Sequence, residues 1–167
     1  MILGLSLPTF TAFHVILSVI GIGSGMIVLF GLLDGQLLRL INLFFLVTTV
    51  ATSVTGFLFP FKGITPGIKI GILSMIALAV AMTALYRFRL AGRWRATFVV
   101  SAMVALYFNI FVLIVQLFEK VPALHALAPT QTELPFLIAQ IVLLLVFIVL
   151  TIMAEKNFQK ATTAKAA

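Results

Sequence analysis

His14 and His125 are the only histidines in this 167-residue chain, and with Glu119 and Glu133 they are the side chains best suited to chemistry. Two neutral imidazoles are the axial ligands of a low-spin electron-transfer haem, so the pair is a candidate haem b site. With the two glutamates they form a candidate metal set, although the spacing matches no established ligand pattern. A third chemistry needs only hydrogen bonds: His14, Thr55, Asn109, Gln116, His125 and Gln140 could hold the polar head of a quinone or another small amphiphile. A small transporter would need intramembrane charge or broken helices, and no Asp or Glu lies well inside an apolar run, so proton coupling would fall to His14. Cysteine is absent, which excludes disulfides, thiolate metal sites and thiol catalysis. No catalytic or nucleotide-binding motif is present.

The elements that carry these residues are five long apolar runs separated by four short polar breaks. With 63% hydrophobic residues, 9% charged residues and a mean hydropathy of +1.28, the chain has too little polar surface for a soluble globule. The runs cover 10–33, 38–59, 68–86, 97–118 and 134–154. Each is long enough to cross a hydrocarbon core of about 30 Å as a helix, and none alternates as a barrel strand would. The expected fold is therefore all-α: one integral membrane bundle of five transmembrane helices spanning 1–167, with 155–167 as a basic tail. The segment before the first run lacks the basic residues of a secretion signal, so that run is expected to remain as a span.

Charge placement suggests an orientation. Arg39, Arg87, Arg89, Arg93, Arg95, Lys156, Lys160 and Lys165 fall on one side of a five-span chain, against Lys62, Lys69 and Lys120 on the other. The positive-inside rule then puts the N-terminus outside and the C-terminus in the cytoplasm. Arg87, Arg89, Arg93 and Arg95 read as headgroup anchors flanked by the interfacial aromatics Tyr86 and Trp94, so the net charge of +7 points to lipid and not to nucleic acid.

Helices in lipid need small and polar residues to associate. Gly21 and Gly25 fit a close contact, either with a neighbouring helix or with a second copy. Thr48, Thr49, Thr52, Ser53, Thr55 and Gly56 line the second run. In the fourth, Ala102, Ala105, Asn109, Val112, Gln116 and Glu119 share one face, with Asn109 near mid-membrane and expected to bond another helix. His14, Thr55, Gln116 and Gln140 reach similar depths in the outer leaflet. Between the last two runs, Pro122 and Pro129 bound a short helix whose apolar side, Val121, Leu124 and Leu127, is expected to roof the outer mouth. Thr130 with Glu133 matches a capping box, and Thr132 is the expected cap of the fifth run.

Three segments carry a resemblance: TSVTGFLFPF ending at Phe61, ALYFNIFVLIVQ ending at Gln116 and VPALHALAPTQTELPF ending at Phe136. They resemble a group of small, uncharacterised proteobacterial integral membrane proteins. That likeness implies a multi-pass protein of the bacterial inner membrane and carries no activity with it. The functional expectation is a noncatalytic binder of a small amphiphile, or of another membrane subunit or itself. A haem b or quinone redox component is the alternative, and a small transporter a further one.

Overall fold

A computed structural model gives the fold; it describes residues 2–60, 63 and 66–164, the side chains of 162–164 excepted. Lys62, Lys165 and Phe61 therefore lie outside the described residues. The helices are α1 (Leu7–Leu33), α2 (Arg39–Phe57), α3 (Pro66–Met82), α4 (Trp94–Lys120), the short α5 (Pro122–Leu127) and α6 (Leu134–Ala164). α1, α2, α4 and α6, and α3 together with the turn that continues it to Arg87, are long and apolar enough to cross a membrane. No strand occurs among the described residues, only an isolated bridge between Ile2 and Leu5.

Local chemistry sets the ends. The Ser6 hydroxyl accepts the Thr9 N–H at 3.3 Å and Pro8 sits in the first turn, so α1 starts three residues before the apolar run itself. Its far end turns at Gly35, whose φ of +71° disfavours any L side chain, and a Cβ there would lie 2.6 Å from the Ala161 Cβ. Asn157 of α6 donates its side-chain amide to the Leu33 carbonyl at 2.8 Å, tying the last turns of α6 to the end of α1. The last turn of α3, Thr83–Arg87, widens into a π turn in which the Phe88 N–H donates to the Thr83 carbonyl. The chain then reverses through left-handed Arg89, Leu90 and Gly92, with φ of 47°, 59° and 51°. Two features hold that reversal: the Leu90 N–H donates to the Ala84 carbonyl at 3.0 Å, and Phe88 stacks on Trp94 at 3.8 Å between centroids. Arg87, Arg89 and Arg93 stay exposed around the stack, Arg95 is half-buried, and Tyr86 is exposed.

Helix α2 packs on α1 and α3, while α4 packs on α1, α3 and α6. The densest packing lies toward the arginine-bearing end, where Phe98, Val99, Ala102, Met103, Ala105 and Leu106 of α4 meet Val28, Leu29 and Leu32 of α1, Phe45 and Leu46 of α2, and Leu78, Ala81 and Ala84 of α3. Gly25 makes this possible, because a Cβ there would lie 2.6 Å from Leu106 Cδ1 and 2.9 Å from the Phe45 ring. Gly21 and Gly25 are thus buried inside the chain and unavailable to a second copy. The α6 helix lies outside the other four, burying Phe136, Phe147, Ala154 and Phe158 and exposing Ile, Leu and Val along most of its length. Such an apolar exterior suits lipid contact.

Candidate functional site

Away from the dense end, α1 to α4 separate around a cavity of about 570 Å³. Glycine and alanine bring the helices together near Gly25 and Ala102, and Phe57, Phe59, Phe108 and His14 line the opened end. Its wall is mostly apolar, with polar groups from His14, Thr52, Ser74, Asn109, Gln116 and Lys120. Ser74 lies eight residues into α3, roughly 12 Å along the axis, so the polar groups reach from the rim at Lys120 deep between the helices.

His14 is half-buried on α1, and its Nδ1 lies 2.8 Å from Thr55 Oγ1 on α2. The Phe59 ring meets the imidazole edge-on at 5.3 Å. Across from Gly56, a Cβ would lie only 3.5 Å from His14 Cε1, so the missing side chain leaves room beside the ring. Deeper, Asn109 donates its amide to Thr49 Oγ1 at 3.2 Å. This is the interhelical bond the fourth-run stripe pointed to. It closes over Gly21, where a Cβ would stand 3.3 Å from Thr49 Oγ1, 3.4 Å from Thr48 Oγ1 and 3.6 Å from Asn109 Nδ2. Asn109→Leu is expected to cost about 1 kcal/mol, the scale of interhelical bonds in membranes. A double-mutant cycle with Thr49→Ala, read by detergent unfolding, should place most of that loss in the pair.

The other candidates divide between two places. Gln116 lines the cavity and donates to Glu119 Oε2 at 3.1 Å on the exposed side of α4. Gln140 is buried on the opposite side, between α6 and α4, where its amide donates to the Phe111 carbonyl at 3.3 Å. His125 is exposed on α5 and is absent from the cavity wall. The expected roof therefore sits elsewhere: no residue of α5 lines the cavity, and Leu124 packs instead against Phe118, Ala128 and Phe136 on the α4–α6 seam. Val121 alone of the three expected apolar residues touches the cavity rim, and Leu127 is exposed. Proline at the start of so short a helix fixes its direction, and the aromatic pair Phe118–Phe136, 5.4 Å apart, gives it a better apolar platform than the open mouth.

Glu133 is occupied in the backbone. Its Oε1 accepts from the Thr130 N–H at 3.1 Å and the Thr130 hydroxyl at 2.9 Å, and its Oε2 accepts from the Thr132 N–H at 3.0 Å. Because the Leu137 N–H donates to the Glu133 carbonyl, Glu133 itself, and not Thr132, stands at the start of α6. Among the described residues no three His, Asp or Glu side chains come together to hold a metal, so His14, His125, Glu119 and Glu133 do not form one set. Desolvation pushes the Glu133 carboxyl up, but the Thr130 hydroxyl and the backbone N–H donors together outweigh it and hold it below the usual carboxylate value. Its contribution to the α6 start is therefore complete above the ordinary glutamate range and is lost only as pH falls through the lowered value. A carbon-13 titration of the Glu133 carboxyl should give a midpoint below that of a free glutamate side chain, and Thr130→Val should move it upward.

One wall residue, Ser74, escaped the sequence reading, while Thr52 was read only as part of the second run's polar stripe. Ser74 is 3% exposed with no partner for its hydroxyl, and Thr52 Oγ1 is likewise buried without a hydrogen bond. Membrane serines and threonines ordinarily bond back to the preceding turn, as Thr48 does to Phe44 and Thr55 does to Ala51. A solitary serine in an apolar run gives no signal that it departs from that habit. No protein-family model, curated protein or solved structure matches this chain. Function is accordingly read from the cavity itself.

Proposed function

We propose that this chain is a noncatalytic binder of a small amphiphile, held in the cavity between α1 and α4 with its polar head among His14, Thr52, Ser74 and Gln116. The observation that carries the reading is the buried, unpartnered Ser74 hydroxyl in the wall of a mostly apolar cavity of about 570 Å³. A desolvated hydroxyl without a partner is costly, and a ligand that completes it recovers that cost. The volume falls within the range of small-molecule sites, and an apolar wall with a few polar groups suits an amphiphile. Lys120 at the rim favours a neutral or anionic head over a cationic one.

The same reading places the protein in the bacterial inner membrane as a multi-pass protein, N-terminus outside and C-terminus cytoplasmic. The arginine cluster around Trp94 and the resemblance to small proteobacterial membrane proteins support it. The cavity then opens toward the outer leaflet. Native mass spectrometry of the protein gently extracted from its own membrane tests the binding role: a retained amphiphile mass is expected, and Gly56→Leu, which fills the space beside His14, should remove it. Bare wild-type protein would overturn the reading, and a retained haem would replace it with a redox role. A reporter fused after Ala167 tests orientation, since activity outside the cytoplasm would reverse it.

A further inference from the structure

His14 is positioned so that one nitrogen is committed to the protein and the other is left for a ligand, and proton counting decides which kind of ligand. The Thr55 hydroxyl has a single proton. Its oxygen lies 2.7 Å from the Ala51 carbonyl and 3.1 Å from the Thr52 carbonyl, neither of which has a proton to give, so the hydroxyl proton is spent on the preceding turn. With that proton spent, the 2.8 Å contact between Thr55 Oγ1 and His14 Nδ1 is assigned to a proton from the ring. Nδ1–H donates and Thr55 accepts. In the neutral imidazole this leaves Nε2 with its lone pair and no proton. Among the described residues no group donates to Nε2. His14 lines the cavity, so its ring faces the space a ligand would take.

We infer that the cavity selects an amphiphile whose head carries a hydroxyl donor, with His14 Nε2 as its acceptor and Thr55 as the residue that fixes the acceptor's tautomer. This rests on the cavity reading and narrows it to a ligand class. An alcohol or phenol head completes Nε2, whereas an ether or carbonyl head presents a second lone pair to the first. The neighbouring Thr52 and Ser74 hydroxyls can donate or accept, so they serve either head alike. Asn109 and Gln116 each have one amide proton bonded, to Thr49 Oγ1 and Glu119 Oε2. Thr55 acts through His14 and is a positioning residue, not a contact of the ligand.

The test uses the full chain, titrated by native mass spectrometry with a long-chain alkylphenol and with its methyl ether, which differ only in the donor. The phenol should bind about tenfold or more tightly, the scale of one hydrogen bond. Thr55→Val should bring the ratio toward one while leaving ether binding unchanged, because the ring loses its fixed tautomer and keeps its place in the wall. Independently, nitrogen-15 spectra of a His125→Asn chain, whose single histidine is His14, should show neutral imidazole protonated at Nδ1. Equal binding of the two probes, or a ring protonated at Nε2, overturns the inference. If neither probe binds while a native amphiphile is retained and is lost in Gly56→Leu, the cavity reading stands and the donor preference falls. If neither probe binds and no amphiphile is retained, both fall.

Discussion

Gly25→Leu is expected to lower the unfolding free energy of the bundle by about 3 kcal/mol, the upper end of the cost of overpacking a well-filled core. A Cβ at this position already lies 2.6 Å from Leu106 Cδ1 and 2.9 Å from the Phe45 ring, and both neighbours are fully buried, so neither has free volume to move into. Leucine adds three further heavy atoms at the meeting of α1, α2 and α4. The same substitution at Gly23, one residue pair away on the exposed face, meets nothing within 4 Å and should shift stability by less than about 0.5 kcal/mol. Unfolding in mixed micelles, followed by fluorescence of the single tryptophan, Trp94, reads both. Equal effects at Gly23 and Gly25 would mean that the tight α1 face is not the one buried in the bundle.

Ser74→Ala is expected to move stability and binding in opposite directions. In the empty protein the buried Ser74 hydroxyl has no partner, so its removal should raise stability by about 1 kcal/mol. On the proposed binding role the hydroxyl meets the ligand head, so its loss should weaken binding about tenfold. Gain of stability with loss of ligand is the pattern of a group kept for function at a cost to the fold. Unfolding of delipidated protein and retention of the native amphiphile measure the two halves. Lower stability with unchanged ligand would make Ser74 a packing residue and remove the main support for the cavity as a site.

How much of this was legible in the sequence differs from residue to residue. The helical spans follow from unbroken apolar length, a property that needs no partner to be read, whereas the Ser6 cap lies before the apolar run and was found only in the structure. Asn109 is an intermediate case. Its need for a partner followed from a carboxamide at mid-membrane, and the threonine stripe was the visible supply, but the choice of Thr49 depended on how α4 rotates against α2. His14 and Thr55 were matched by depth, and the structure joins them. Gln140 was matched by the same rule and lies on the far side of α4, because depth along the membrane says nothing about direction around a helix. His125 belongs to that class too, since a loop's docking surface is set by what its neighbours expose.

By itself the sequence determined the solvent, the five apolar spans and which residues must find polar partners, because hydrocarbon imposes those demands on each helix separately. The tertiary structure alone decided where the helices close and where they part. Closure near Gly25, Leu106 and Ala102 and separation around Ser74 and His14 depend on side chains from four helices meeting in one layer. That is also why the Ser74 hydroxyl could be recognised as unpartnered only after folding: whether a hydroxyl turns back to its own helix or is left facing a cavity is fixed by the neighbours that surround it.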